Sequence, residues 1–397
     1  MLNIYRVAKS TIERRDSGRL ETVVDGEQDV ARPNLSSNSG PDSLLHYGKL
    51  QPFLDDESIE EIWVNSPNRV FVAQQGRSRL APVIISAQEI RDITERMLAW
   101  SGRRVDLSQP FVDARLPNGA RLHVVIPDIT AEYWALNIRK KVLPAFSLTD
   151  LIMAKTLSDE VAEILEYFVK ANVNILISGA THAGKTTVLN SLLGSIPTGS
   201  RLITLEEVFE LAPRVADHVA LQIRQKNLEG TGEVSLRTLV RESLRMRPNY
   251  LVIGEVRGAE ALDLLLALNS GIPGMASIHA NSAHDALRKI ATLPLLAGPN
   301  IVREFVVEAV QENIDVIIHC RQDGDGVRRI VDVALVNKKS FISHLSSESL
   351  LSWNGSQYIF GKIDCDMFTK FANLREILKR NREDLHELKG RIQQPKL

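Results

Sequence analysis

The stretch GATHAGKT, Gly179 to Thr186, decides how the rest of this 397-residue chain is organised. It fits the pattern G-x-x-x-x-G-K-[ST], in which a glycine-rich turn points backbone N–H groups at phosphate oxygens. Asn174-Ile-Leu-Ile-Ser178 before it is a short apolar run typical of a buried strand. Apolar residues at helical spacing follow the loop, and Gly194 with Pro197 ends that helix. Strand, loop and helix together predict a site for nucleotide phosphates.

Each position of the loop has a predicted part in binding the nucleotide. Lys185 is expected to reach the β- and γ-phosphates, and the Thr186 hydroxyl is expected to ligate Mg²⁺. The predicted nucleotide-binding residues are Gly179, Ala180, Thr181, His182, Ala183, Gly184, Lys185, Thr186 and Thr187.

Two patterns divide the chain on either side of the loop. From about residue 160 short apolar runs alternate with helical patterns, which predicts an α/β domain whose largely parallel sheet is covered on both faces. Hairpin signals at Pro67-Asn68 and Pro117-Asn118-Gly119 lie between β-rich runs, which predicts a smaller α+β domain. The predicted order is a flexible segment over 1–42, the α+β domain over 43–140, a linker over 141–157, the α/β domain over 158–340, and a polar extension with an amphipathic helix over 341–397.

Acidic side chains follow two of the predicted strands in the α/β domain. Glu255 ends the apolar run that begins at Tyr250, where an acid can hold Mg²⁺ or activate water. Glu206 and Glu207 end another strand, and Glu210 follows three residues later. The sequence alone leaves open which acid binds Mg²⁺ and which positions the attacking water.

A histidine and several arginines complete the candidate chemistry. His279 follows a third strand-like run, so it is expected to face the nucleotide and to sense the γ-phosphate. Phosphoryl transfer places negative charge on the γ-phosphate oxygens, which a guanidinium neutralises well. The candidate arginines, which spacing alone does not rank, are Arg121, Arg139, Arg245, Arg247 and Arg257.

Composition narrows the class of protein. The formal net charge is −1, so no global basic field favours nucleic-acid binding. The two cysteines, Cys320 and Cys365, form no zinc-binding or disulfide pattern, and reduced thiols in a cytosolic protein are expected. No apolar run is long enough to span a bilayer, so attachment to a membrane is expected only through a partner.

Four motifs in order resemble the nucleotide motifs of the type II/type IV secretion ATPases. They are the Walker A motif GATHAGKTT, the Asp box ITLEEVFEL, the Walker B region VRESLRMRPNYLVIGEVRG and the His box MASIHANSAHDAL. The segment that begins NLEGTGEV and the upstream strings DDESIEEIWVNSPNRVFV and DARLPNGARLHVVIP are most similar to the Flp (tight adherence, CpaF/TadA-type) pilus assembly ATPase branch. Glu207 departs from the usual Asp of the Asp box, and the tetracysteine zinc module of some relatives is absent.

The resemblance implies a RecA-like P-loop NTPase domain, preceded by the smaller α+β domain, in a hexameric ring. Each nucleotide would lie between the two domains, and hydrolysis would drive their rotation. ATP and Mg²⁺ are the implied cofactors. By position, the implied catalytic residues are Glu255 (the base), Lys185, Glu206, His279, Arg121 and Arg139, and the implied metal ligands are Thr186, Glu206 and Glu255.

The resemblance also implies a function and a place of action. The expected protein is a cytoplasmic ATPase motor that powers Flp/Tad-type pilus assembly or secretion at the inner membrane, bound there through a platform protein. It is expected to form a homo-oligomer and to make no direct contact with nucleic acid. The alternatives are a conjugation or type IV secretion ATPase, a nucleic-acid translocase on the same core, and a structural subunit with little turnover.

Overall fold

Two β-sheets organise the part of the chain that the structure describes. This computed structural model describes residues 46–74, 76–140, 147–226, 231–338 and 345–361. The predicted flexible segment over 1–42 lies outside these ranges. The predicted amphipathic helix near residues 374–388 lies outside them as well.

The N-terminal domain is built on a 6-stranded sheet in the order β3-β2-β1-β6-β5-β4. All its neighbouring strands run antiparallel, as expected for hairpins joined by short turns. A helix packs against one face and begins at a capping box formed by Ser86 and Glu89. The elements are α1 (Gln51–Asp55), β1 (Ile59–Ser66), β2 (Arg69–Gln74), β3 (Arg77–Leu80), α2 (Ala87–Ser101), β4 (Phe111–Arg115), β5 (Arg121–Val125) and β6 (Ala135–Arg139).

The second sheet has 9 strands in the order β15-β14-β13-β12-β7-β11-β10-β8-β9. From β12 to β9 every pair is parallel, whereas β13, β14 and β15 are antiparallel additions at one edge. Its strands are β7 (Ile175–Gly179), β8 (Arg201–Glu206), β9 (Asp217–Gln222), β10 (Tyr250–Val256), β11 (Gly274–His279), β12 (Val316–Gln322), β13 (Arg328–Val336), β14 (Ser347–Trp353) and β15 (Tyr358–Phe360). The predicted α/β fold with a mainly parallel sheet is confirmed.

Helices cover both faces of the second sheet, as the continuous apolar strands require. The helices are α3 (Leu148–Met153), α4 (Asp159–Lys170), α5 (Lys185–Leu193), α6 (Leu236–Ser243), α7 (Glu260–Asn269), α8 (Ala283–Ile290) and α9 (Arg303–Asn313). Apolar residues of α3, α4 and α5 form one core with one face of the sheet. Those of α6 to α9 form another core with the opposite face. Within the described ranges, no helix is both long and apolar enough to cross a membrane.

The second domain contains two elements outside its predicted range of 158–340, the helix α3 and the strand β14. Within the predicted linker, α3 starts at a capping box between Ser147 and Asp150 and buries Leu148 and Leu151 in the core. Beyond residue 340, β14 pairs with β13 and buries Leu350 and Leu351. The polar composition of this region concealed the strand because only a few of its side chains face the core.

Candidate active site

The phosphate loop joins the end of β7 to the start of α5. All of β7 is buried, and a Cβ at Gly179 would lie 2.6 Å from the carbonyl oxygen of Cys320 on β12. Gly184 precedes α5 with φ 92°, a left-handed conformation that glycine adopts without steric cost. Glycine therefore stands at the two positions where a side chain would block or strain the turn, and the N-terminus of α5 points its N–H groups into the site.

Gly179→Ala is expected to lower the free energy of unfolding by about 1–3 kcal/mol, because the added methyl group overlaps a backbone carbonyl. Chemical denaturation of the two proteins measures this difference. Gly199→Ala is the matched control, since a Cβ at Gly199 meets no described atom within 4 Å. Equal losses at both positions would contradict the close approach of β7 to β12.

The ends of β10 and β11 and the start of α5 bring Lys185, His279 and Glu255 into one contiguous cluster. Both β7 and β10 pair in parallel with β11, so their carboxyl ends meet at one edge of the sheet. Lys185 Nζ lies 3.1 Å from His279 Nδ1, and His279 Nε2 lies 2.7 Å from Glu255 Oε1. Because an ammonium only donates, Nδ1 accepts from Lys185, and the N–H of the neutral imidazole is at Nε2, in close contact with Glu255. Burial lowers the pKa of His279 and the neighbouring Lys185 charge lowers it further, which favours this neutral imidazole.

Lys185 and Glu255 each have further partners. Lys185 Nζ donates to the carbonyl oxygen of Ala180 at 2.9 Å. Burial lowers the pKa of Lys185, while the negative charge of Glu255 opposes that shift. Arg257 places Nη2 2.7 Å from Glu255 Oε2 and Nη1 2.7 Å from Glu207 Oε2. The lysine and the acid are thus held in place by neighbours before any phosphate binds.

Glu206, at the end of β8, is almost fully buried, with only 3% of its surface exposed. Its Oε2 accepts the backbone N–H groups of Glu210 at 2.7 Å and Leu211 at 2.9 Å. Its Oε1 is buried and has no hydrogen-bond partner among the described residues. Burial raises the pKa of Glu206, and the two N–H donors lower it in part. The carboxylate is therefore fixed by one oxygen and keeps the other for a ligand or water.

The opposite wall of the site comes from the N-terminal sheet. Arg121 on β5 and Arg139 on β6 are direct cross-strand neighbours, and Glu61 on β1 pairs with Arg139 from the other side. Arg121 Nη2 lies 3.0 Å from Glu210 Oε1, and Arg139 Nε lies 3.5 Å from Glu61 Oε1. Adjacent strands thus present two arginines, each beside a carboxylate.

Sequence reasoning missed Glu60, Glu61 and Arg328, charged residues that line the space between the two walls. Glu60 Oε2 lies 2.9 Å from Arg328 Nη2, and the carbon atoms of Arg328 pass over Gly184 of the phosphate loop. Glu61 Oε1 also lies 3.7 Å from Nδ1 of His182. Glu60 and Arg328 are 268 residues apart, so no local pattern relates them.

A cavity of about 320 Å³ lies between the two walls. The predicted site residues that line it are Arg121, Arg139, Thr181, His182, Gly184, Lys185, Thr186, Thr187, Glu206, Glu255 and His279. Gly179, Ala180 and Ala183 do not line it. Among the other arginine candidates, Arg257 lines the cavity, and Arg245 and Arg247 do not.

A larger cavity of about 530 Å³ lies at the opposite edge of the sheet, beside Asn174 and Tyr250. These residues stand where the parallel strands begin, away from the carboxyl ends at which open α/β sheets bind ligands. No carboxylate or glycine-rich loop lines this larger cavity among the described residues. The smaller cavity is therefore the candidate active site.

The donor set of the active-site cavity fits a nucleotide phosphate chain with Mg²⁺. Lys185 and the arginines supply positive charge, and the Thr186 hydroxyl and the unpaired Oε1 of Glu206 supply the hard oxygen ligands that Mg²⁺ prefers. In the described ranges, no group of three or more His, Cys, Asp or Glu side chains is arranged to hold a metal ion. Mg²⁺ usually takes one or two carboxylates and completes its shell with phosphate oxygens and water, which agrees with this arrangement.

The fold and the site define a P-loop ATPase in which a separate N-terminal sheet forms one wall of the nucleotide cleft. A family model described as type II/IV secretion system protein matches residues 45–339. The chain belongs to this family.

Two curated relatives and one solved structure show the range of similar proteins. The chain is 33% identical over 303 residues to a putative conjugal transfer protein of Mycobacterium tuberculosis, which covers 74% of this chain and 86% of that protein. It is 27% identical to the type IV secretion system protein VirB11 of Bartonella quintana, over 73% of this chain and 92% of that protein. The ATPase DotB of Yersinia pseudotuberculosis has a TM-score of 0.53 at 19% identity, over 72% of this chain and 77% of DotB. These relatives do not single out the Flp branch.

Proposed function

We propose that this protein is a hexameric motor that hydrolyses ATP to power a secretion, conjugation or pilus machinery. The observation that carries the proposal is the cavity shared by two sheets. Arg121 and Arg139 of the N-terminal sheet line it together with Lys185 and Arg257 of the nucleotide domain. A triphosphate bound among these cations links the two sheets, and loss of the γ-phosphate weakens that link. Hydrolysis is thereby coupled to movement between the domains.

The phosphate-loop side of the cavity has a proposed part in binding. Lys185 and the loop N–H groups hold the β- and γ-phosphates, and Thr186 with Glu206 would ligate Mg²⁺. When bound, Mg²⁺ neutralises charge on the phosphate oxygens. The remaining loop residues shape this cradle through their backbone.

Glu255 has the proposed part of orienting the attacking water and accepting its proton. Arg257 already donates to Oε2 of Glu255, whereas Oε1 lies 2.7 Å from His279 Nε2 but accepts no hydrogen bond from a described residue and can accept one from the water. Arg121 and Arg139 neutralise the charge that develops on the γ-phosphate. Glu206 is the alternative base, because its Oε1, like that of Glu255, has no hydrogen-bond partner among the described residues.

Two machineries are the finer candidates for this motor. The Flp-type motifs favour Flp/Tad pilus assembly, whereas the names of the M. tuberculosis and B. quintana relatives favour conjugation or type IV secretion. Neighbouring genes separate the two: pilin and prepilin peptidase genes accompany the first, and relaxase and mating-pore genes accompany the second. In either case we propose that the motor acts at the cytoplasmic face of the inner membrane, on a membrane platform protein and without direct contact to nucleic acid.

Two measurements test the motor. The purified protein is expected to release phosphate from ATP. EDTA is expected to abolish this release, because it removes Mg²⁺ and leaves the charge of the phosphate oxygens unneutralised. Mass in solution, measured with and without a non-hydrolysable ATP analogue, is expected to show a hexamer at least with the analogue. Hydrolysis that persists in EDTA would contradict the Mg²⁺ site. A strict monomer in both states at high concentration would contradict the ring.

A further inference from the structure

The N-terminal domain contacts the segment after β8 at two neighbouring points. Arg115 lies over the ring of Phe209, with 5.7 Å between the guanidinium carbon and the ring centre. Arg121 pairs with Glu210 at 3.0 Å, and these two side chains are 32% and 28% exposed. The β4–β5 hairpin is therefore attached to the chain just beyond Glu206.

The same segment fixes the carboxylate of Glu206. Glu206 Oε2 accepts the backbone N–H of Glu210 and that of Leu211. These bonds use only the main chain of Glu210, so its side chain is left to pair with Arg121. Glu210 thus donates its backbone N–H to Glu206 of the active site and pairs its carboxylate with Arg121 of the N-terminal domain.

Arg121 has donors that Glu210 does not use. A guanidinium carries five N–H donors, and Arg121 Nε is buried with no hydrogen-bond partner among the described residues. Arg121 and Lys185 also line one cavity, where like charges repel unless carboxylates stand between them. Glu210 lines the same cavity and pairs its carboxylate with Arg121.

We propose that Glu210 is a positioning residue that holds Arg121 beside Glu206 until a γ-phosphate takes the place of its carboxylate. The proposal rests on the ATPase function given above. Binding of ATP must then break the pair between Arg121 and Glu210, whereas ADP has no γ-phosphate and leaves it intact. Glu210 therefore lowers the affinity for ATP selectively and sets how strongly the protein distinguishes ATP from ADP.

Equilibrium binding of ADP and of a non-hydrolysable ATP analogue tests this role in the full chain. Glu210→Gln is expected to bind the analogue about two- to fivefold more tightly than the wild type, the range that one partly exposed ion pair contributes. Its affinity for ADP is expected to stay unchanged. In an Arg121→Gln background, Glu210→Gln is expected to have no effect on either ligand, because no pair remains to be broken.

The controls separate this proposal from the function on which it rests. Glu166→Gln removes an exposed carboxylate that pairs with Lys170 and is expected to change neither affinity. Glu210→Ala provides a second variant without the carboxylate if Glu210→Gln folds poorly. An equal change for ADP and the analogue, or no change for the analogue, would overturn the positioning role. A wild type that binds neither ligand would overturn the ATPase function itself.

Discussion

Glu255→Gln is expected to lower kcat for ATP hydrolysis by about a hundredfold or more while leaving the affinity for ATP nearly unchanged. The amide keeps the size of the side chain but cannot accept the proton of the attacking water, and a positioned base contributes factors of about 10² to 10⁴. Arg257 loses one of its two carboxylate partners but keeps Glu207, so the site is expected to stay folded. Phosphate release measures kcat, and titration with a fluorescent ATP analogue measures binding.

Two further variants make this result specific. Glu242→Gln removes an exposed carboxylate that pairs with Arg245 outside the cavity, and it is expected to hydrolyse ATP at the wild-type rate. Glu206→Gln is expected to raise the concentration of Mg²⁺ needed for activity, because it removes a proposed ligand. If Glu255→Gln hydrolyses ATP normally and Glu206→Gln does not, the role of base belongs to Glu206.

The nucleotide half of the site could be predicted because its geometry follows from local patterns. Apolar runs define parallel strands, and the carboxyl ends of adjacent parallel strands must meet. Glu255 and His279 end such runs, and Lys185 follows another. The structure joins Lys185 to His279 by a hydrogen bond of 3.1 Å and places His279 Nε2 2.7 Å from Glu255 Oε1. The pattern of parallel strands and the position of these three polar residues were therefore enough to predict that they lie together.

The other half depends on contacts between distant segments. The family resemblance, and not spacing, singles out Arg121 and Arg139 among the candidate arginines, since no local pattern relates either residue to the phosphate loop. In the sequence, Glu60 and Glu61 are simply polar positions of a strand. Glu60 pairs with Arg328 on another strand, and Glu61 contacts His182 in the phosphate loop. Pairing at this distance is decided by how the two sheets face each other, which periodicity does not encode.

The C-terminal edge of the large sheet shows the same limit. Trp353 and Tyr358 pack against each other with ring centres 5.1 Å apart, and Arg329 lies 4.9 Å above the Trp353 ring. These contacts join β13, β14 and β15. β14 is mostly polar and β15 has only 3 residues, so they join the sheet by pairing, β14 with β13 and β15 with β14, and not through long apolar runs of their own.

Lys185→Ala is expected to lower kcat/KM for ATP by at least about a hundredfold, because it removes from a largely buried position the cation that we propose holds the β- and γ-phosphates. Unlike Glu255→Gln, it is expected to weaken binding of ATP and ADP as well, since the lysine charge acts on the ground state too. It also leaves Nδ1 of His279 without its donor. Lys170→Ala, which removes an exposed lysine paired with Glu166, is the control with expected wild-type kinetics. Unchanged turnover in Lys185→Ala would mean that the stretch from Gly179 to Thr186 does not hold the phosphates, and the remaining assignments in the cavity would lose their reference point.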